Sequence, residues 1–188
     1  MENTALLIID VQEAFNERVA LGHRRNNPDA EANIARLLAG FRQAHLPIFH
    51  IRHASTEANS LFRPERSGFA VQKFAREQVG EAVIVKNVNS SFIGTSLEED
   101  LRASGLTRLV ICGATTNHCV ETTTRMAGNL GFDALLVQDA CWAFDHIGYN
   151  GVAHKAEDIH AMTLSNLDGE FATVINTDDI LPRLAGEA

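Results

Sequence analysis

The chain alternates short unbroken apolar runs with longer stretches of helical periodicity. The runs near residues 5–10, 46–52, 82–86, 107–112, 133–138 and 172–176 are rich in Val, Ile and Leu and barely alternate with polar residues. Such runs predict strands buried on both faces, as in a parallel sheet covered by helices. Between them the apolar residues fall at helical spacing. Residues 28–44 carry Ala32, Ile34, Ala35, Leu37, Leu38 and Phe41, with Asn27-Pro28 read as cap and first helical residue. Residues 95–104 carry Leu97 and Leu101 behind an acidic first turn of Glu98, Glu99 and Asp100, which suits a helix dipole. Residues 118–130 carry Val120, Thr124, Ala127 and Leu130 and close at Gly131. A last helix is expected over 149–167, through Ala153, Ala156, Ile159, Met162 and Leu167. Strands alternating with helices predict parallel strands joined by crossovers: one three-layer α/β/α domain over 1–188 with a mainly parallel, six-stranded sheet. Segments 13–27 and 53–80 read as irregular, the second with a short helix near 69–78; loops of that length at a sheet rim often act as lids.

Composition narrows the function classes. A length of 188 residues suits a single domain with a full core. The net charge of −8 argues against nucleic acid and against anionic membrane surfaces as partners. The cysteines are Cys112, Cys119 and Cys141, an odd number with no Cys-x-x-Cys pair, which disfavours a disulfide framework and a Cys-rich zinc site. No signal-peptide pattern and no apolar run of membrane-spanning length is visible, so a cytoplasmic, reducing compartment is expected.

Three polar groups interrupt this frame where chemistry is expected. Asp10 ends the run Leu6-Leu7-Ile8-Ile9, Lys86 ends Val83-Ile84-Val85, and Cys119 follows Leu109-Val110-Ile111-Cys112 through the polar turn 113–118. Open α/β sheets bind ligands outside the carboxyl ends of their strands. Singly, Asp10 reads as a turn cap, Lys86 as a snorkelling cation and Cys112 as a buried hydrophobe. Together, a carboxylate, an ammonium and a thiol on one edge point to catalysis. A thiol one turn into a helix meets unpaired N–H dipoles, which are expected to lower its pKa. Neighbouring strands lie about 4.8 Å apart, so the three side chains meet only if strands one, three and four end close together.

These residues resemble the isochorismatase-like cysteine hydrolases, which include nicotinamidases and N-carbamoylsarcosine amidohydrolases. The resemblance spans nearly the whole chain. It rests on Leu7-Ile8-Ile9-Asp10-Val11-Gln12, on Val85-Lys86 with Ser91-Phe92 and Gly94-Thr95-Ser96-Leu97, on Gly113-Ala114-Thr115-Thr116-Asn117-His118-Cys119-Val120-Glu121, and on Asp139-Ala140. It implies a Rossmann-like hydrolase fold and a catalytic triad of Asp10, Lys86 and Cys119. It also implies a cis peptide between Ala114 and Thr115, and an oxyanion hole from the backbone N–H groups of Thr115 and Cys119. Lys86 and the helix dipole would then stabilise the thiolate, Asp10 would carry protons, and a small amide, ureide or carbamoyl compound would pass through a thioester.

The nicotinamidase branch carries an Asp-x-His metal motif after the second strand; here the sequence reads His50-Ile51-Arg52-His53, so no metal and no other cofactor is expected. Phe15, His53, Phe92 and Trp142 are the candidate substrate contacts, each near a strand end. Gln12 reads as a loop brace, and Thr116 and Asn117 as helix caps. The expected partner is a small-molecule substrate, and the resemblance implies a homo-oligomer, a dimer or larger. Two other functions compete: a vinyl-ether hydrolase of the isochorismatase type, and a non-catalytic redox sensor pairing Cys119 with Cys141 or Cys112.

Overall fold

A computed structural model describes residues 1–186. In chain order its strands are β1 (Thr4–Ile9), β2 (Ile48–His53), β3 (Ala82–Lys86), β4 (Arg108–Ala114), β5 (Asp133–Trp142), β6 (His146–Ile147), β7 (Ala153–His154) and β8 (Thr173–Ile175). Its helices are α1 (Glu13–Ala20), α2 (Ala30–Gln43), α3 (Leu97–Ala103), α4 (Glu121–Asn129), α5 (Ala156–Leu167) and α6 (Thr177–Ala185). Six strands form one parallel sheet in the order β3-β2-β1-β4-β5-β8, and β6 and β7 pair separately as a small antiparallel ribbon. Helix α2 packs on β1, β4 and β5 beside α6, while α4 and α5 pack on each other and on β5, giving the three layers. Among the described residues no helix is long and apolar enough to cross a membrane.

Burial follows the runs. All six residues of β1, the strand between β2 and β4, are buried, which is why its sequence shows no alternation. At the sheet edge, β3 leaves Val83 and Val85 exposed but turns Lys86 inward until its side chain is inaccessible. The sheet also needs one glycine. Gly113 sits where the β4–β5 register shifts, at φ +120°, and a Cβ there would lie 2.1 Å from the Ile9 carbonyl oxygen.

The structure departs from expectation at several element ends. Residues 13–20, read as irregular, form α1; only Ala14 and Phe15 of that helix are buried, too few for a legible period. Asn27 is not the cap of α2: it adopts φ +46° and its amide donates to the carbonyls of Gln138 and Cys141. The expected helix over 69–78 is two single 3₁₀ turns, Ser67–Phe69 and Lys73–Ala75. The helix expected from 149 starts at Ala156, because Ala153–His154 is taken up by the ribbon. Strand β5 continues past Gln138 and Asp139 to Trp142, and α6 starts from an unrecognised capping box of Asn176 and Asp179.

Candidate active site

Asp10 leaves β1 with its N–H still donated to the Ile51 carbonyl, then turns at φ +53°. Aspartate tolerates that left-handed conformation better than most residues, and here it swings the carboxylate off the strand line. Oδ2 of Asp10 accepts a 2.7 Å hydrogen bond from Nζ of Lys86, with both side chains essentially inaccessible. Strand β2 lies between the two parent strands, so the lysine crosses about 10 Å of sheet, twice the strand spacing. It passes beside His53, its register partner on β2, and Nζ lies 3.2 Å from His53 Nδ1. An ammonium has only donors, so Nδ1 of His53 accepts and its ring is neutral. Burial, then the Lys86 charge, hold the His53 pKa below the ordinary histidine value. Gln12 braces this corner: its amide donates to the His53 and Phe69 carbonyls and accepts from the His53 N–H.

Cys119 arrives from β4. The Ala114–Thr115 peptide is cis, and residues Thr116–Val120 form a π-helical turn that runs directly into α4. Thr116 does not cap that turn; its hydroxyl pairs at 2.8 Å with Nδ1 of buried His160. Ligand-type atoms of Asp10, His53 and Cys119 all lie within 4.8 Å of one another. The Asp10 Oδ1 atom is buried without a hydrogen-bond partner among the described residues, so the carboxylate keeps an acceptor free beside the thiol. The expected lowering of the thiol pKa is overturned: burial, then the Asp10 carboxylate, push Cys119 up to about 12 against the opposing pull of Lys86. At neutral pH the sulfur therefore rests as a thiol and needs a base to become a nucleophile.

Asp10, His53 and Cys119 are the one cluster of metal-ligand type among the described residues. They fit a cation poorly. An ammonium already lies against both the Asp10 oxygen and the His53 nitrogen, and a second positive charge there would be repelled.

These groups line a pocket of about 200 Å³ with Phe15, Arg18, Phe62, Asn89, Thr115 and His118. Of the aromatic candidates, Phe15 and His53 reach it. Phe92 does not: it is buried and stacks on Phe132 at 5.9 Å. Trp142 also does not reach it, being wholly buried behind Phe15, 5.7 Å away edge to face. Arg18, Phe62, Asn89 and His118 were missed. A helix over 13–20 would place Phe15 and Arg18 on one face at i, i+3, and His118 directly precedes Cys119 in the polar turn after β4. Cys112 and Cys141 are fully buried and free, which gives a redox partner no access to them.

Comparison with known proteins follows the same lines. The Isochorismatase domain family matches residues 4–179. The isochorismatase family protein YrdC of Bacillus subtilis is 44% identical over 180 residues, spanning 96% of this chain and 95% of that protein. A crystal structure from the isochorismatase family of Chromobacterium violaceum has 44% identity and a TM-score of 0.92, covering 97% of this chain and 94% of the other. The ureidoacrylate amidohydrolase RutB of Variovorax paradoxus is 27% identical over 219 residues, spanning 97% of this chain and 82% of that enzyme.

Proposed function

This chain belongs to the isochorismatase family of hydrolases, and on that premise we propose that it cleaves the C–N bond of a small amide, ureide or carbamoyl compound through a thioester on Cys119. One observation carries the reading: a buried carboxylate, clamped by Lys86 through one oxygen and free at the other, beside a thiol on the wall of a small pocket. The relationship to an amidohydrolase of ureidoacrylate supports the choice of a C–N bond.

The chemistry follows from protonation states. Cys119 begins as a thiol. As sulfur attacks the carbonyl carbon, Asp10 takes its proton, and Lys86 holds the carboxylate in place for that transfer. The new oxyanion is met by the backbone N–H groups of Thr115 and Cys119, a contact whose single donors are typically worth about 3 kcal/mol. Asp10 returns the proton to the departing nitrogen, the C–N bond breaks, and ammonia or an amine leaves. Water then gives a proton to Asp10 while attacking the thioester, and the acid and the free thiol are restored.

Ammonia release across small amides, ureides and carbamoyl compounds, wild type against Cys119→Ala, tests this. A loss of about 10³-fold or more in the variant is expected for removal of a nucleophile. Turnover that survives Cys119→Ala would remove the thioester from the mechanism. Pyruvate from isochorismate, with every amide inert, would place the vinyl-ether reaction first.

A further inference from the structure

Arg18 is a charge with no carboxylate partner among the described residues. It stands on α1, half-buried, with its guanidinium stacked 4.3 Å from the centroid of Phe144, and it lines the same pocket as Cys119. The other arginines are either paired with a carboxylate or exposed: Arg24, Arg25, Arg36, Arg42, Arg52, Arg63, Arg102, Arg108 and Arg125 form ion pairs, and Arg66, Arg76 and Arg183 face solvent. Arg18 makes no ion pair or side-chain hydrogen bond among the described residues, and only burial acts on its pKa. The acids that share a cleft with it are both already held, Asp10 by Lys86 at 2.7 Å and Asp145 by Arg24 at 2.9 Å. Stacking occupies the flat face of a guanidinium and leaves its in-plane N–H fork open, the geometry that takes a carboxylate through two parallel hydrogen bonds.

The charge balance of the pocket agrees. Asp10 and Lys86 cancel, the thiol is uncharged, and burial holds both His53 and His118 below the ordinary histidine value, so Arg18 leaves one net positive charge in a protein of net charge −8. We propose that Arg18 is the specificity residue of this pocket and binds a carboxylate on the substrate, so that the amide or ureide cleaved at Cys119 is itself an acid. This rests on the hydrolase reading above only for the bond cleaved. At about 200 Å³ the pocket lies below the roughly 300–1,000 Å³ of drug-sized sites, which keeps the carboxylate within a few atoms of the scissile carbonyl. Phe15 and Phe62, edge to face at 5.0 Å, supply the apolar wall along the way.

The test pairs acids with uncharged isosteres: succinamate against 4-methylpentanamide, and N-carbamoylglycine against isobutylurea. Wild type is expected to favour the acid of each pair in kcat/KM, mostly through KM. The acid-to-neutral ratio should fall about 10- to 100-fold in Arg18→Met, the loss typical of a bidentate charge-assisted contact, and less in Arg18→Lys. Methionine keeps the stem that covers Phe144, and equal melting temperatures confirm folding. A second arm needs no turnover: calorimetric titration of Cys119→Ala with the same four compounds, with and without Arg18→Met. Acid-selective binding that Arg18→Met abolishes upholds the assignment even if no amide is hydrolysed, in which case only the hydrolase reading falls. A ratio unchanged by Arg18→Met, a preference for the neutral compounds, or no binding of either acid overturns it.

Discussion

Asp10 raises the pKa of its neighbour yet takes that neighbour's proton in the proposed mechanism, and these two effects separate on mutation. In Asp10→Asn the negative charge that pushes Cys119 up disappears while Lys86, which pulls it down, remains. The thiol should therefore become more acidic, seen as thiolate absorbance rising at lower pH than in wild type, while amide turnover falls by about 10²-fold or more for loss of the proton carrier. A variant with both a more acidic thiol and full activity would remove Asp10 as the proton carrier. The same change strands the Lys86 ammonium in a site where its side chain is inaccessible, and a cost of about 3–5 kcal/mol in unfolding free energy is expected. Lys86→Met, which strands the carboxylate instead, should cost a similar amount in denaturant titration. Asp10, Lys86 and Cys119 were legible because each ends or follows an apolar run, and strand ends are the readable feature of such a sheet. The sign of the thiol pKa was not, because burial and a facing carboxylate are set by strand order, which no local pattern encodes.

At the scale of elements, the join between β1 and β4 does most to fix the site. Gly113 lies against the backbone of Ile9, one residue before Asp10, and leads into Ala114, Thr115 and the π turn that carries Cys119. Gly113→Ala would drive a Cβ to 2.1 Å from the Ile9 oxygen at a φ that L-residues avoid, so β1 and β4 would have to separate where the segments carrying Asp10 and Cys119 begin. A loss of about 3 kcal/mol or more is expected in chemical denaturation, with activity lost even below the melting transition. A stable, active Gly113→Ala protein would mean that this join tolerates displacement. The strands were readable from their unbroken apolar runs; what failed was reading beyond them. Helix α1 buries only two residues, α6 contains Pro182, and β5 passes through Gln138 and Asp139, so each hides its period behind polar or helix-breaking residues that tertiary contacts tolerate. Because α1 was invisible, so was Arg18, a pocket charge with no carboxylate partner among the described residues.

Across the whole molecule, acid should act in two stages. Burial holds His160 down to about 4, with Nδ1 toward the Thr116 hydroxyl and Nε2 3.4 Å from the Asn27 amide nitrogen. That nitrogen also faces the Gln138 and Cys141 carbonyls, which fixes it as a donor, so a proton on Nε2 would meet donor with donor. The unfolded histidine takes its proton near pH 6.5 and the folded one only near 4, so the stability it contributes is complete above 6.5 and drains away as pH falls between these values, to a limit of about 3 kcal/mol. His50, also held low by burial, contributes with the same sign. Glu81 governs the second stage. Its hydrogen bond from Arg42 keeps it at about 2, so its contribution survives down to the ordinary carboxylate range near pH 4.5 and is lost from there towards 2. Denaturant titrations of wild type between pH 7 and 4 should show a steady decline that is shallower in His160→Gln, whose amide can still donate to Thr116 without taking up a proton. Parallel curves for the two proteins would exclude His160 as the group that titrates. Because its partner Thr116 opens the turn that holds Cys119, loosening at His160 should reach the pocket: activity is expected to fade in the same window before global unfolding, and to persist to lower pH in His160→Gln.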